Sequence, residues 1–276
     1  MYAPIQFIDH RLLHPQLTYR EMPPCASLRP FVACYWYLKS SSPLQEEVPH
    51  RVLPDGCVDI LFDFTAGKVN FVGVMSKADL VPLIGDVHLM GIRFLPQSIP
   101  FLLKGEAGFL ANGMLGLGEV WGRQAAFAGK VLVPELSAAQ RIEIMEKELI
   151  SRFKHYDPDP KWSGMLNFIT EKNGKITIAE LADYYPISER HIARTFKSLV
   201  GITAKEYASI IRFQSVLQQL KQMKSSINWS DLSVHSGFYD QSHFINEFKK
   251  RYGITPGSLI ADACPIFPIQ SPSSLV

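Results

Sequence analysis

The sequence predicts a two-domain α+β protein, with a β-rich barrel or sandwich flanked by helices followed by an all-α domain containing tandem helix-turn-helix units. Three observations predict this fold class. Short apolar runs between Pro and Gly residues occupy the first half, amphipathic helical patterns occupy the second half, and one segment of the second half occurs twice. A chain of 276 residues is long enough for two ordinary domains.

Three apolar runs predict strands in the N-terminal half. Residues 57–64 follow the turn sequence Pro-Asp-Gly, residues 71–75 follow a glycine, and residues 87–94 end just before a proline. Short strands separated by such residues are typical of a sandwich or small barrel. Asp59 and Asp63 alternate with apolar residues in the first run, so we expect both carboxylates to face solvent.

A helical pattern begins after these strands. Ser137 and Gln140 have the spacing of a capping box, and the apolar residues that follow recur on one face as far as Phe153. We expect this amphipathic helix to pack between the domains or to form a dimer contact. The sequence Asp-Pro-Asp-Pro then predicts a break in the chain, so we divide it into an N-terminal domain (1–156) and a C-terminal domain (157–262).

The C-terminal domain has the pattern of a first helix-turn-helix unit over residues 177–200. A short amphipathic stretch ends at Pro186, Ser188 is suited to cap the next helix, and Gly201 is suited to end it. A long helix is predicted to follow over 204–223.

The unit then repeats over residues 229–252. Residues 188–203 and 240–255 align without a gap at an offset of 52 residues. They share His191/His243, Phe196/Phe248, Lys197/Lys249, Gly201/Gly253, Ile202/Ile254 and Thr203/Thr255. We expect these shared residues to be mostly scaffold, and the residues that differ to carry recognition.

The outer faces of the two second helices carry polar stripes. Arg190, Arg194 and Lys197 share one face of the first copy, and the equivalent positions of the second copy are Ser242, Asn246 and Lys249, flanked by Gln241 and Lys250. Arg pairs with guanine edges, Asn and Gln pair with adenine, and Lys and Ser bind bases or phosphates. A polar stripe is usually a solvated face, but two stripes in the same frame favour helices that lie in the major groove.

The predicted long helix has a suitable length for two such helices to act together. About 20 residues at roughly 1.5 Å each give about 30 Å, and successive major grooves on one side of B-DNA lie about 34 Å apart. The predicted partner is therefore double-stranded DNA, read in two adjacent major grooves.

Charge and composition are compatible with this partner. Residues 161–260 contain 13 Lys and Arg against 8 Asp and Glu, although the whole chain carries only +2. The chain has no long apolar run and no secretory signal at its N-terminus, and its four cysteines form no C-x-x-C pair. We therefore expect a cytoplasmic protein with reduced thiols and no membrane partner.

The segment from about Trp162 to Ile260 resembles the DNA-binding domain of the AraC/XylS family of bacterial transcription factors, and residues 237–256 resemble the signature around its second recognition helix. The resemblance implies a homeodomain-like fold, transcription regulation, and contact with RNA polymerase in an activator. It also implies that the first recognition helix makes most base contacts. The residues expected to bind DNA are Ser188, Arg190, His191, Arg194, Lys197, Gln241, Ser242, Asn246, Lys249 and Lys250.

Two positions depart from the family pattern. Pro186 stands in the first turn where a glycine is usual, and Asn246 stands where a basic residue is common. We therefore expect the second helix to contribute less to base recognition than the first.

The N-terminal domain is similar to cupin-like sensing domains that precede such regulators. Residues 28–38, 52–64 and 91–96 carry the resemblance. It implies that the domain senses a small-molecule effector, whose identity and binding residues are unknown, or mediates homodimerisation.

Two other functions are open to this sequence, a metal-dependent cupin enzyme with a helical appendix and a helical adaptor that binds another protein. A protein-binding adaptor is expected to expose apolar anchor residues, whereas the two stripes described above are polar. His10, His14, His50 and His88 are isolated and lack metal-ligand spacing, so we predict no metal, no cofactor and no catalysis. We expect Cys57 to be a core residue rather than a reactive thiol. The aromatic residues 35–37 could line a pocket, but we expect them to pack in the core.

Overall fold

The computed structural model describes residues 2–7, 12–104, 107–222 and 228–262. Among these residues, the N-terminal half contains eight strands arranged in two antiparallel sheets. The strands are β1 (Leu17–Met22), β2 (Val32–Ser40), β3 (Leu44–Val52), β4 (Val58–Asp63), β5 (Lys68–Val72), β6 (Asp79–Gly85), β7 (His88–Phe94) and β8 (Met114–Gly116).

The larger sheet has the strand order β1-β2-β7-β4-β5-β8, and β3 pairs with β6 in a second sheet. In the larger sheet, Ile92 of β7 pairs with Tyr35 on one side and Ile60 on the other. Strands β4 and β7 begin within one residue of their predicted starts. Strand β5 ends earlier than predicted because Gly73 packs on a loop, where a Cβ would lie 1.9 Å from the Leu110 carbonyl oxygen.

The larger sheet has two different faces. One face carries Ile60, Phe62 and Ile92, all fully buried in the main hydrophobic core. The opposite face faces β3 and β6 and encloses a second cluster that includes Leu38 and Leu83. This arrangement confirms the predicted β-rich barrel or sandwich with flanking helices.

Helices cover the first face and make up most of the remaining described residues. Four belong to the N-terminal half: α1 (Ile99–Leu103), α2 (Leu117–Trp121), α3 (Phe127–Val131) and α4 (Ala138–Phe153). Those that follow are α5 (Pro160–Glu171), α6 (Ile178–Tyr184), α7 (Glu189–Leu199), α8 (Ala204–Gln222), α9 (Trp229–His235), α10 (Gln241–Tyr252) and α11 (Pro256–Asp262). No helix in the described ranges is long and apolar enough to cross a membrane.

Helix α4 begins with the predicted capping box, since Ser137 Oγ accepts the Gln140 N–H at 3.3 Å and Gln140 Oε1 accepts the Ser137 N–H at 2.9 Å. The sequence predicted that the apolar face of α4 packs between the domains or forms a dimer contact. Instead the Phe153 ring stacks on Phe31 at 4.4 Å and contacts Phe101 at 5.0 Å, both in the N-terminal domain. Phe153 thus packs within the N-terminal domain and not between the domains, because the sheet needs a cover for its apolar face. The dimer contact stays a prediction.

The C-terminal half contains two helix-turn-helix units joined by α8. Helices α6 and α7 form the first unit, and its core is continuous with that of the N-terminal domain. Helices α9 and α10 form the second unit, whose separate core also includes Ile5 and Leu53 of the N-terminal half. The predicted all-α tandem fold is therefore confirmed, with both units packed on the domain before them.

Candidate nucleic-acid interface

The second helix of each unit is bounded by a capping side chain at its start and by a glycine, shared by the two copies, after its end. At the start of α7, Ser188 Oγ accepts the His191 N–H at 3.2 Å, and at the start of α10, Asp240 Oδ1 accepts the His243 N–H at 2.7 Å. Gly201 and Gly253 follow the helix ends at φ +86° and +94°, a conformation that favours glycine. A cap and a glycine at equivalent positions of the two copies therefore set the length of each helix.

Each helix buries one face. Ile192 and Phe196 of α7 are fully buried, and so is Phe244 of α10, with Phe248 at 2% exposure beside it. Phe196 contacts Trp162 and Phe248 contacts Phe213, each as an edge-to-face pair. Burial of these rings determines which side of each helix faces solvent.

The residues predicted to bind DNA lie on the opposite, solvent-facing side. All ten are exposed: Ser188, Arg190, His191, Arg194, Lys197, Gln241, Ser242, Asn246, Lys249 and Lys250. The structure thus brings them together as one polar surface on α7 and another on α10. Their exposure is necessary for DNA contact but does not by itself establish it.

Several of these side chains already have partners. The Arg194 guanidinium lies 3.3 Å from His191 Nδ1, so the two residues form a unit on α7. Lys197 Nζ donates to the Gly201 carbonyl at 2.9 Å, where it helps to cap the helix end. Lys250 lies 3.9 Å from the Glu247 carboxylate in an exposed pair, which is a weak interaction.

Two arginines counted in the basic excess serve the fold instead. Arg212 donates to the carbonyl oxygen of Gly174 at 2.8 Å and to that of Gly237 at 3.3 Å, and so connects the loop between α5 and α6 with the turn between α9 and α10. Arg251 is 2% exposed and donates to the Ser76 carbonyl in the N-terminal domain. The surface charge available to a polyanion is therefore smaller than the sequence suggests.

The N-terminal domain holds both recognition helices at their C-terminal ends. At α10, the Ala78 N–H donates to the Arg251 carbonyl at 3.0 Å, and the Arg51 guanidinium donates to the Tyr252 carbonyl. At α7, Gly201 packs against the backbone of Ala107. These contacts couple the orientation of both helices to the N-terminal domain.

Tyr239 is a further candidate for the interface that the sequence did not indicate. It exposes 92% of its side chain in the turn that precedes α10. The available signal is a tyrosine immediately before the helix cap, which places a phenol hydroxyl beside the first turn of a recognition helix. Such a group can donate to a phosphate oxygen.

The opposite face of the larger sheet contains a buried ionic network. Arg93 is 4% exposed, and its guanidinium lies 3.1 Å from Asp55 and 3.1 Å from Asp59, whose carboxylate also accepts the Trp36 indole N–H at 2.8 Å. Asp59 therefore does not face solvent as expected, because Arg93 on the neighbouring strand pairs with it. Burial raises the pKa of the Asp59 carboxyl, and the neighbouring Arg93 offsets only part of this rise.

Catalytic candidates in the N-terminal domain lack a suitable environment. Cys57 is buried, and burial raises the pKa of its thiol, which keeps it protonated. Burial also lowers the pKa of His50 to about 4. No group of three or more His, Cys, Asp or Glu residues that could hold a metal ion occurs within the ranges described, and His10 lies outside them.

Two family models match separate parts of the chain. Residues 181–261 match a helix-turn-helix domain, and residues 20–115 match a domain of unknown function (DUF6597). The first match includes both recognition helices, and the second includes most of the strands described above.

Curated relatives are similar over part of the chain. The chain is 35% identical over 101 residues to the bifunctional transcriptional activator/DNA repair enzyme AdaA of Bacillus subtilis (strain 168), covering 36% of this chain and 47% of that protein. It is 23% identical over 179 residues to the uncharacterized HTH-type transcriptional regulator YidL of Escherichia coli (strain K12), covering 61% and 58%. The chain spans about half the length of these relatives.

Solved structures give weaker similarities. ToxT of Vibrio cholerae has a TM-score of 0.41 at 12% identity, covering 89% of this chain and 97% of that one. The C-terminal domain of AraT, a response regulator from Geobacillus stearothermophilus, has a TM-score of 0.35 at 18% identity, covering 42% and 93%. Neither score supports an inference about this chain.

Proposed function

We propose that this chain, whose residues 181–261 match a helix-turn-helix domain, is a sequence-specific DNA-binding transcription regulator of the AraC type. In this proposal α7 and α10 enter two adjacent major grooves of one duplex. The N-terminal domain sets the orientation of both helices through the contacts at Gly201 and Arg251.

The observation that carries the proposal is the pair of exposed polar stripes in the same frame of two equally capped helices. An adaptor for another protein would favour apolar anchors at these positions, and both stripes consist of Arg, Lys, Asn, Gln, Ser and His. The 19 residues of α8 span roughly 28 Å at about 1.5 Å each. That length suits neighbouring grooves about 34 Å apart.

The two helices have unequal roles in this proposal. Arg190 and the His191–Arg194 unit of α7 read base edges, since arginine pairs with guanine through two hydrogen bonds. On α10, the shorter polar side chains Gln241, Ser242 and Asn246 make fewer contacts. Phosphate contacts come from Ser188, Lys197, Tyr239, Lys249 and Lys250.

Further parts of the proposal concern partners and organisation. In this proposal the chain binds a small-molecule effector, forms a homodimer, contacts RNA polymerase if it is an activator, and lies in the cytoplasm. Its two domains meet between residues 156 and 157. Met145, Leu149 and Phe153 of α4 are buried, so the proposed homodimerisation does not depend on these three side chains. The DNA repair activity in the name of AdaA is a property of that protein.

DNA binding is tested with fragments of the source genome selected for binding to the full chain. On a selected operator, Arg194→Ala should lose about 1–3 kcal/mol of binding free energy and relax the preference at one base position. Lys250→Ala should weaken binding to all sequences and reduce the slope of log K against log salt concentration by about 1. Fluorescence anisotropy over a salt series measures both effects.

Matched controls come from exposed basic residues of the N-terminal domain. Arg123→Ala and Lys130→Ala remove the same charges far along the chain from the recognition helices, and both should bind like the unaltered chain. The groove arrangement is wrong if Arg194→Ala and Lys250→Ala behave like these controls.

A further inference from the structure

The C-terminal ends of the two recognition helices rest on two neighbouring loops of the N-terminal domain. The loop over residues 107–113, called the α7 loop below, packs against Gly201 after α7. The loop over residues 73–78, called the α10 loop, donates a hydrogen bond from its last N–H to the Arg251 carbonyl at 3.0 Å, and its Ser76 carbonyl accepts one from the Arg251 guanidinium. Each helix is therefore held by a loop of its own.

The side chain of Asn112 connects the α7 loop to the α10 loop. Its Oδ1 atom accepts the Ser76 N–H at 2.7 Å and the Ser76 O–H at 2.8 Å. Main-chain bonds join the same loops nearby, from the Asn112 N–H to the Val74 carbonyl at 2.9 Å and from the Gly73 N–H to the Gly113 carbonyl at 3.0 Å. The side chain extends this contact to Ser76, the residue whose carbonyl binds α10.

These contacts form a continuous bridge from the end of α7 to the end of α10. It runs from Gly201 through the α7 loop and Asn112 to Ser76, and from there to Arg251. Arg251 is buried and charged, so its hydrogen bond to Ser76 is of a strong kind. The Asn112 link lies at the surface, where water competes with it. A change at Asn112 therefore interrupts the bridge at its most accessible step.

The bridge is a second connection between the two recognition helices. The first is α8, a rod of 19 residues that is joined to α7 and to α9 by non-helical segments. A rod joined in this way allows the units at its two ends to rotate against each other. A second connection at the helix ends closes a ring and removes that freedom, which arranges both helices before they meet a ligand.

DNA presents its major grooves at a fixed spacing. One added base pair moves the second groove patch by about 3.4 Å along the axis and rotates it by roughly 35°. A protein whose two reading helices are held at one separation rejects such a site, whereas a protein whose helices move apart tolerates it. The rigidity of the bridge thus has a consequence for specificity.

We propose that Asn112 is a positioning residue that fixes the separation of α7 and α10, so that the N-terminal domain sets the spacing of the two operator patches. Asn112 determines specificity in this way without touching a base. The effect on operator spacing rests on the proposed DNA-binding function, whereas the fixed separation does not.

Three variants test Asn112 without disturbing the fold. Asn112→Gly removes the side-chain link, and glycine adopts its φ of +56° without strain. Arg51 still donates to the Tyr252 carbonyl in this variant, so α10 stays on the N-terminal domain. Asn112→Asp keeps an oxygen that accepts both bonds from Ser76. The control is Asn173→Gly, because Asn173 also precedes a glycine and has φ +53°, but lies in the loop between α5 and α6, outside the bridge.

The spacing preference is measured as the ratio of the affinities for a selected operator and for the same operator with one base pair added between its patches. Two solvent-exposed hydrogen bonds correspond to about a three- to tenfold change in an equilibrium constant. The ratio should therefore fall about three- to tenfold in Asn112→Gly, and Asn112→Asp and Asn173→Gly should keep the ratio of the unaltered chain. Equal ratios in Asn112→Gly and Asn173→Gly would overturn the proposal.

The separation itself is measured without DNA, by pulsed electron paramagnetic resonance between two spin labels on the full chain. Arg190 and Ser242 are equivalent exposed positions of α7 and α10, and they carry the labels on unnatural amino acids so that the native cysteines stay unaltered. The labelled chain should give one narrow distance distribution, and the labelled Asn112→Gly variant a broader one. Equal widths would overturn the fixed separation.

The two measurements separate the bridge from the DNA-binding function. If the chain selects no DNA but the distance distribution broadens in Asn112→Gly, the DNA-binding proposal fails and the bridge stands. If the chain binds its operator and the distribution does not broaden, the bridge fails and DNA binding stands. A broader distribution with an unchanged spacing ratio would overturn the role of Asn112 in specificity.

Discussion

Replacement of Gly201 by alanine tests whether the end of the first recognition helix is held by the N-terminal domain. Gly201 has φ +86°, and a Cβ there would lie 2.4 Å from the Ala107 carbonyl oxygen and 2.9 Å from the Ala111 Cβ. The substitution therefore combines backbone strain with a collision against the neighbouring domain.

The two costs can be separated with a second glycine. Gly67 has φ +62° in the turn between β4 and β5, and a Cβ there would meet nothing within 4 Å. Gly67→Ala should cost only the left-handed strain, about 1–2 kcal/mol. Gly201→Ala should add the cost of overpacking, roughly 1–3 kcal/mol, because a buried backbone atom cannot swing aside as a long side chain can.

Urea unfolding of the full chain, followed by circular dichroism and tryptophan fluorescence, measures the difference. Fluorescence is informative here because Trp162 contacts Phe196 in the core of the first unit. The larger loss of stability should belong to Gly201→Ala. If the two variants unfold at the same urea concentration, the end of α7 is not packed on the N-terminal domain as described.

Three further predictions concern His50, Arg251 and Gly91. Burial lowers the pKa of His50 to about 4 from 6.5, so between these two pH values the unfolded chain binds a proton that the folded chain does not. The free energy of unfolding should therefore fall as the pH drops from 6.5 to 4, by up to about 1.4 kcal/mol per pH unit. If His50→Gln shows the same slope of stability against pH as the unaltered chain, His50 is not the cause. Arg251→Met should cost about 1–3 kcal/mol and speed hydrogen exchange in α10; exchange at the unaltered rate would contradict the domain contact. Gly91→Ala would bring a Cβ within 2.2 Å of the Trp36 ring and should cost about 1–3 kcal/mol of stability. Its control is Gly118→Ala, which has open space around it and should be neutral or slightly stabilising in thermal unfolding. Equal melting temperatures of the two variants would refute the packing of Trp36 on Gly91.

Features determined by neighbouring residues could be predicted from the sequence. The caps at Ser137, Ser188 and Asp240 and the helix ends at Gly201 and Gly253 depend on contacts within a few residues. Apolar periodicity likewise identified the buried faces of the recognition helices. These local rules explain why the fold class and the polar stripes followed from the sequence.

Features that depend on distant residues could not be predicted in this way. Asp59 alternates with apolar residues as a surface aspartate would, but Arg93, 34 positions later, pairs with it inside the domain. Arg251 resembles a DNA-binding arginine, but its partner Ser76 is 175 positions away. The apolar face of α4 also fits several partners, and only the sheet topology shows which one it covers.

Interference footprinting of the guanines and phosphates of a selected operator tests the two-groove arrangement most directly. The expected result is two protected major-groove patches on one face of the duplex, about one helical turn or 34 Å apart, with Arg194→Ala losing contacts in one patch alone. A single patch, patches on opposite faces, or simultaneous loss of both patches in Arg194→Ala would show that α7 and α10 do not read neighbouring grooves.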